Sequence, residues 1–158
     1  MTDTRICKIG SGDIGTLIHL GELCNLSPWT AQNYQDELGN PHSIMLRLEG
    51  PDNQLLGFVV GRVIPAADSP ESVDAEIYNI AVEDRFRRHG YAQTLLNTFI
   101  DRARSSQVRR IWLEVRESNA PAINFYECNG FRTVTKRREF YSNPQEDALL
   151  MRLDLAAG

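Results

Sequence analysis

The chain has 158 residues, a length that suits a single domain over residues 1–158 with one hydrophobic core. Its 42% hydrophobic and 24% charged content is ordinary for a soluble globular protein. The net charge of −4 disfavours wholesale electrostatic binding to nucleic acid.

Neither targeting nor metal binding is indicated. The amino terminus lacks the apolar segment of a signal peptide, and no apolar run approaches the roughly 20 residues that span a bilayer. We therefore expect a cytoplasmic protein that does not enter membranes. Cys7, Cys24 and Cys128 are not closely spaced, which argues against a disulfide framework or a zinc site, so free thiols and no metal are expected.

The first part of the chain predicts one strand, two helices and then a hairpin. Ser11 is a candidate N-cap for the first helix, which ends by Pro28. Thr30 is a candidate cap for a second helix, ended by Gly39. The strands are predicted, from apolar alternation or apolar runs, at Thr4–Ile9, Ile44–Leu48 and Leu55–Val63.

The second part alternates predicted strands with two predicted helices. Apolar residues from Ala92 to Ala103 follow the 3.6-residue period. Asn119 caps a later helix with Pro121 in its first turn, and Gly130 stands where a C-terminal glycine belongs. The strands are predicted at Ala75–Val82, Arg110–Val115, Phe131–Tyr141 and Ala148–Leu155, with Pro65–Val73 as a connecting loop.

The resulting order is β-α-α-β-β-β-α-β-α-β-β. Helices interrupt a largely continuous sheet, so the fold class is mixed α/β (α+β) rather than a doubly wound fold.

A basic turn follows the Ala75–Val82 strand and opens the next helix. Helix-start N–H groups lack intrahelical partners, and the helix dipole adds positive potential, so such a turn can bind a pyrophosphate. Gly90 lets a phosphate approach the backbone, and Arg87 and Arg88 can add charge-assisted hydrogen bonds. An ordinary solvated basic turn is the alternative. The turn is neither a P-loop nor a G-x-G-x-x-G fingerprint, which disfavours a nucleotide triphosphatase or a Rossmann enzyme.

Arg87-x-x-Gly90-x-Ala92 resembles the Q/R-x-x-G-x-G/A motif of the GNAT acetyltransferases. The resemblance extends to the strand Glu76–Val82, to Leu-Glu-Val-Arg-x-Ser-Asn ending at Asn119, and to Phe-Tyr-x-x-x-Gly-Phe ending at Phe131. Together with Arg137-Arg138 and Glu146–Met151, these pieces resemble the bacterial RimI type, the ribosomal-protein-alanine N-acetyltransferases. The strong match covers about half of the chain, Glu76–Leu153, and the amino-terminal half matches weakly apart from Ser27–Thr30. Ser142–Gln145 is shorter than the corresponding RimI loop, which bears on the substrate.

The resemblance implies a GNAT fold, with a mostly antiparallel sheet splayed between strands 4 and 5 and helices on both faces. It makes acetyl-CoA the donor, whose acetyl group is transferred directly to an amine in a ternary complex. The residues it assigns to acetyl-CoA are Ile80, Ala81, Val82, Arg87, Arg88, His89, Gly90, Tyr91, Ala92, Asn119 and Tyr126. A backbone N–H near Ile80 or Val82 would stabilise the oxyanion.

The same resemblance supplies a base and an acid. Glu114 is the candidate base, since a lone carboxylate among apolar strand residues is costly without a role or a partner. Solvent exposure or an arginine partner is the alternative for Glu114, and Glu76 is the rival base. Tyr126 is the candidate acid for the departing thiolate, because its ordinary pKa of about 10 suits donation; packing on a helix face is the alternative.

The acceptor amine is the open part of the prediction. Trp29, Glu76 and Tyr141 are candidate substrate-binding residues, although the two aromatic residues also suit a core or surface. Arg137 and Arg138 are expected on a solvated strand face, and no histidine is given a catalytic role. We expect acetylation of a protein N-terminus, specifically an alanine-starting ribosomal protein. The alternatives are a small-molecule amine, a lysine side chain, or a non-catalytic CoA-binding module.

Overall fold

The computed structural model describes residues 4–24, 26 and 29–155. Ser27 and Pro28 lie outside the described residues, so the predictions that fall on them are not addressed. The helices are α1 (Ile14–Leu23), α2 (Ala31–Leu38), α3 (Tyr91–Ser105) and α4 (Ala120–Cys128). The strands are β1 (Arg5–Lys8), β2 (Ser43–Glu49), β3 (Leu55–Ala66), β4 (Ser69–Val82), β5 (Val108–Arg116), β6 (Arg132–Tyr141) and β7 (Glu146–Asp154). The predicted order of helices and strands is confirmed.

Within the described residues the strands form one seven-stranded sheet in the order β1-β2-β3-β4-β5-β7-β6. Neighbouring strands are antiparallel except for β4 and β5, which are parallel and are connected through α3. A parallel pair needs such a crossover because the chain must return to the same end of the sheet before the second strand begins. The predicted mixed, mostly antiparallel sheet is confirmed.

The sheet has a hydrophobic core on each face. Leu46, Val59 and Val82 point to the side covered by α3 and α4, where Phe99 is fully buried. Their strand neighbours Met45, Phe58, Val60 and Ala81 point to the side covered by α1 and α2, around Leu17 and Tyr34. Successive strand side chains alternate between faces, so two-sided burial explains why β2 and β3 read as apolar runs.

The predicted helix caps are partly confirmed. The Thr30 side chain accepts a hydrogen bond from the Asn33 N–H at the start of α2, and the Asn119 side chain accepts one from the Ala122 N–H at the start of α4. The prediction for Ser11 is wrong. Ser11 begins a short 3-10 turn that precedes α1, where the Asp13 carboxylate accepts a hydrogen bond from the Gly10 N–H.

The predicted loop Pro65–Val73 is also wrong for most of its length. β3 continues to Ala66 and β4 starts at Ser69, with Pro65 opposite Val73 in an antiparallel register. The polar and proline content indicated a loop, but pairing between the two strands extends the hairpin. A proline is tolerated where its missing N–H is not needed for the ladder.

Substitution of Gly61 tests how closely α3 packs on the sheet. A Cβ at Gly61 would overlap the carbonyl oxygen of Glu76 and the ring of Phe99, whereas a Cβ at Gly15 in α1 would meet nothing within 4 Å. We expect Gly61→Ala to lower the free energy of unfolding by roughly 1–3 kcal/mol through overpacking. Gly15→Ala is expected to raise it by about 0.4–1 kcal/mol. Chemical denaturation of both variants measures this, and a neutral Gly61→Ala would contradict the packing described.

Candidate active site

The site begins where β4 and β5 separate. Their parallel register runs from Val73 opposite Val108 to Ile77 opposite Leu113, and within the described residues it extends no further. β4 nevertheless continues to Val82 and β5 to Arg116. The separation leaves one edge of the Tyr78–Val82 segment without a strand partner, so its backbone groups on that side are available to a ligand.

Three cavities lie along this separation. The α3 cavity, about 370 Å³, adjoins the start of α3, and the aromatic cavity, about 540 Å³, lies over β4, β5 and β6. The junction cavity, about 110 Å³, shares Ile80 and Tyr126 with the α3 cavity and Tyr78 and Glu114 with the aromatic cavity. A molecule in the α3 cavity and another in the aromatic cavity would therefore meet at the junction cavity.

The α3 cavity collects nearly all the residues predicted to bind the donor. Arg88 (φ 69°) and Gly90 (φ 76°) have left-handed backbone just before α3 begins at Tyr91. Such turns direct successive N–H groups into one concavity, and the first N–H groups of a helix lack intrahelical acceptors. The predicted residues that line this cavity are Ile80, Ala81, Val82, Arg87, Arg88, Gly90, Tyr91, Ala92, Asn119 and Tyr126. The arrangement fits a pyrophosphate at the α3 start and an extended arm along β4.

His89 and Arg87 were both predicted to bind acetyl-CoA, and the structure shows other contacts for each. His89 is not among the lining residues; its exposed ring stacks on Tyr91 with centroids 5.4 Å apart. Arg87 lines the cavity, but its Nε donates to the Val82 carbonyl oxygen at 3.2 Å and its Nη1 pairs with Asp84 at 2.8 Å. Arg87 therefore also ties the turn to the end of β4.

Glu114 projects into both the junction and aromatic cavities. Its β5 neighbours Leu113 and Val115 are buried in the core on the opposite face, so the alternation of β5 places the carboxylate on the cavity side. Burial raises the pKa of the Glu114 carboxyl, Arg137 lowers it, and the charge of Glu76 raises it further. A carboxylate with an increased proton affinity is suited to accept a proton near neutral pH.

Tyr126 lines the junction and α3 cavities from α4. Its ring packs edge-on against Phe131 at 5.5 Å and lies 5.4 Å from Phe125. Burial, and then the proximity of Tyr141, raise the pKa of the Tyr126 phenol. The hydroxyl therefore holds its proton at neutral pH, although the same shift makes it a weaker acid toward a departing thiolate, whose ordinary pKa of about 8.5 is lower.

The aromatic cavity contains the three residues predicted to bind substrate. Trp29, Glu76 and Tyr141 all line it. Trp29 also contacts Tyr34 and Tyr78, with ring centroids 5.1 and 5.6 Å apart, so it both packs on the core and faces the cavity. Glu76 and Glu114 line the same cavity, which keeps both as candidates for the base.

Tyr141 is held by a network at the turn between β6 and β7. The Arg116 guanidinium lies 4.4 Å from the Tyr141 ring centre and donates to the carbonyl oxygens of Pro144 and Ser142, at 3.0 and 3.4 Å. Glu146 pairs with Arg116 and accepts from the Ser118 N–H at 2.6 Å. Burial and the charge of Glu114 raise the pKa of Tyr141 to about 12, against the effect of Arg116.

The structure adds residues that the motifs did not reveal. Tyr78, Asn79, Trp112 and Phe140 line the aromatic cavity. Trp112 lies two residues before Glu114 on the same strand, so period-two alternation from Glu114 could have found it. Asn79 could not be found in this way, because a bulge shifts the β3–β4 register between Val60 and Gly61 and changes the face of the residues that follow.

The exposed position predicted for Arg137 is confirmed, since its side chain is 51% exposed, but the residue also reaches the site. Arg137 lines the aromatic cavity, and its Nε lies 3.7 Å from Glu114 Oε1. Its side chain crosses β7 to reach β5, a contact between strands that are not neighbours in the sheet. Arg138 is exposed and is not among the lining residues, as predicted.

Two further observations, on membrane-spanning helices and on metal sites, apply to the described ranges 4–24, 26 and 29–155. None of the helices there is long and apolar enough to cross a membrane. No group of three or more His, Cys, Asp or Glu side chains in those ranges could hold a metal ion.

Comparison with known proteins identifies the family. The model of the Acetyltransferase (GNAT) family matches residues 16–131. The [ribosomal protein bS18]-alanine N-acetyltransferase of Escherichia coli (strain K12) is 29% identical over 96% of this chain and 97% of its own length. The protein with the same name in Salmonella typhimurium is 31% identical, with the same two coverages.

Solved structures are also similar to this chain. The crystal structure of the Escherichia coli ribosomal-protein-S18-alanine N-acetyltransferase has a TM-score of 0.83 and 28% identity, covering 99% of this chain and 96% of that chain. Arabidopsis thaliana NAA60 in complex with a bisubstrate analogue has a TM-score of 0.88 at 20% identity, covering 99% and 100%, and shows the shared fold. The chain therefore belongs to the Acetyltransferase (GNAT) family and is an acetyl-CoA-dependent N-acetyltransferase.

Proposed function

We propose that this enzyme transfers an acetyl group from acetyl-CoA to the N-terminal α-amine of a protein, and that the protein is an alanine-starting ribosomal protein in the cytoplasm. The observation that carries the proposal is the junction cavity, where Glu114 and Tyr126 meet between the α3 cavity and the aromatic cavity. Relatives named [ribosomal protein bS18]-alanine N-acetyltransferase, 29% and 31% identical over nearly the whole chain, support this acceptor.

The α3 cavity is the proposed acetyl-CoA site. Its turn offers the first N–H groups of α3 and two arginines to the pyrophosphate, and the edge of Tyr78–Val82 offers backbone groups to the pantetheine arm. Bound acetyl-CoA supplies the thioester. A backbone N–H of the Ile80–Val82 segment donates to the acetyl oxygen and stabilises the negative charge that develops there.

The aromatic cavity is the proposed acceptor site. Its volume of about 540 Å³ falls within the roughly 300–1,000 Å³ of small-ligand sites, which leaves room for a peptide end beyond the amine itself. Trp29, Tyr78 and Tyr141 surround the peptide, and Glu76 and Glu114 attract its ammonium group.

Glu114 and Tyr126 have complementary proton-transfer roles in this proposal. An α-amino group has an ordinary pKa near 7.7–8.0, far below the 10.4 of lysine, so one moderately basic carboxylate suffices to remove its proton. Glu114 takes this proton directly or through one water. Tyr126, protonated at neutral pH, donates to the sulfur as it leaves and recovers a proton from the nitrogen, which must lose its second proton as the amide forms.

The first prediction separates the two candidate bases. We expect Glu114→Gln to lower kcat/KM by roughly 10²- to 10⁴-fold, as for loss of a general base. Glu76→Gln should keep most of the turnover, and it should move the acidic limb of the kcat/KM profile to lower pH. The sign follows because the charge of Glu76 raises the pKa of Glu114. Steady-state kinetics over a pH series measures both effects, and loss of turnover in Glu76→Gln alone would make Glu76 the base.

The second prediction concerns the α3 turn. At Gly90 (φ 76°) an alanine Cβ would meet nothing within 4 Å, so Gly90→Ala changes the backbone preference without a clash. The left-handed conformation costs an alanine about 1–2 kcal/mol, and relaxation of the turn should weaken acetyl-CoA binding by roughly five- to thirtyfold. Calorimetric titration measures the affinity, with Gly10→Ala, at an extended position (φ −116°), as the control. Equal affinities would remove the turn from the binding site.

The third prediction concerns the acceptor. With acetyl-CoA, peptides that begin Ala-Arg should gain an acetyl group on the α-amine, located by fragment mass spectra. Peptides with a blocked amino terminus and a free lysine, and a panel of small amines, should react much more slowly. Preferential acetylation of either control would assign the enzyme a different acceptor class.

A further inference from the structure

Arg137 is the cavity residue whose role neither the motif nor the proposed proton transfers explain. It lies on β6, at the edge of the sheet, opposite Ala148 of β7. Its Nε reaches to 3.7 Å from Glu114 Oε1, although its side chain is 51% exposed and that of Glu114 only 27%. An arginine on an exposed edge strand thus places its charge next to the half-buried carboxylate of Glu114.

The charges around the aromatic cavity favour the contact between Arg137 and Glu114. Among the described residues that line the cavity, Arg137 supplies the one positive charge, against the carboxylates of Asp74, Glu76 and Glu114. Asp74 is paired with other groups: its Oδ2 accepts from Trp112 Nε1 at 2.9 Å and pairs with Arg110 at 3.2 Å, and its Oδ1 lies 3.8 Å from Arg109 Nε. The charge of Arg137 therefore acts on Glu114.

An acceptor amine would enter this arrangement as a second cation. Near neutral pH an α-amine is largely an ammonium ion, and the carboxylate that removes its proton also attracts it. The contact between Arg137 and Glu114 is longer than the 2.7–2.9 Å of a well-formed charge-assisted hydrogen bond, and half of the arginine is in water. Moving the guanidinium away from Glu114 therefore costs little.

We propose that Arg137 is a positioning residue that pairs with Glu114 in the free enzyme and exchanges with the acceptor ammonium when the substrate binds. In the free enzyme it keeps the carboxylate ionised despite burial. In the complex its positive charge repels the ammonium form and favours the neutral, nucleophilic amine. This role rests on the proposed function, in which Glu114 is the base.

Other groups facing Glu114 set the background for this effect. On the α4 side and from β7 the neighbours are Tyr126 and the apolar Leu150. The remaining titratable or charged residues that line the two cavities are Cys24 after α1, Asp74, Glu76 and Tyr78 on β4, Arg116 on β5 and Tyr141 on β6. Burial and Glu76 raise the pKa of Glu114, and Arg137 opposes both. Loss of Arg137 should thus shift the carboxyl further toward its protonated form.

The test compares Arg137→Gln with Arg137→Lys and with Arg138→Gln, a neighbouring change of equal charge outside the cavity. Arg137→Gln should move the acidic limb of kcat/KM to higher pH. It should also lower KM for the peptide and lower kcat, each by roughly two- to fivefold, the range expected for a partly exposed ion pair. Arg137→Lys should stay near the wild type, and Arg138→Gln should match it. Thermal melts establish that all variants are folded.

A second measurement does not depend on the acceptor. Carboxyl NMR titration of the free enzyme should show a higher pKa for Glu114 in Arg137→Gln than in the wild type or in Arg138→Gln. An unchanged Glu114 titration overturns the proposal, as does a KM that rises in Arg137→Gln, which would mean direct binding of the peptide by Arg137. Failure of the wild type to acetylate peptide amino termini would instead overturn the proposed function, and the NMR comparison separates the two failures.

Discussion

The separation of β4 from β5 is the constraint on which the site depends. Two parallel strands that pair from Val73 to Ile77 and then diverge leave an unpaired backbone edge in the middle of a buried sheet. An open edge inside a protein is costly unless something satisfies it, and in the proposed function the acetyl donor is the group that does so. The crossover helix α3 starts beside the same edge, so its unpaired N–H groups are added to the site by the connection that a parallel pair requires.

Burial gives the two proposed catalytic groups their complementary properties. The same low-dielectric junction raises the pKa of Glu114 and that of Tyr126. For the carboxylate, the shift strengthens a weak base; for the phenol, it holds the proton more tightly and makes Tyr126 a weaker acid than an ordinary tyrosine. Nearby charges then adjust the carboxylate in opposite directions, Glu76 upward and Arg137 downward. The chemistry therefore depends on a balance of charges across three strands rather than on one perturbed residue.

Much of the fold could be predicted because its signals are local. The 3.6-residue period of α3, the caps Thr30 and Asn119 and the apolar strands depend on neighbours in the chain. Prediction was wrong where long-range pairing decided the outcome. Pro65–Val73 looked like a loop, yet cross-strand pairing makes most of it sheet. The bulge near Tyr78 breaks the two-residue alternation, which hid Asn79 from any pattern of faces. The single-domain organisation of residues 1–158 stays a prediction.

By itself, the sequence determined the order of the elements, the basic turn before α3 and the resemblance that indicates acetyl-CoA and makes Glu114 and Tyr126 candidates, because each depends on residues within short segments. Only the tertiary structure decided which side chains share a cavity. It brought Trp29, Glu76, Trp112 and Tyr141 around one space and showed that His89 lies outside the α3 cavity. It also brought the exposed Arg137 to within 3.7 Å of the carboxylate of Glu114. The physical reason is that this contact spans β5, β7 and β6, whose sheet order differs from their order in the chain.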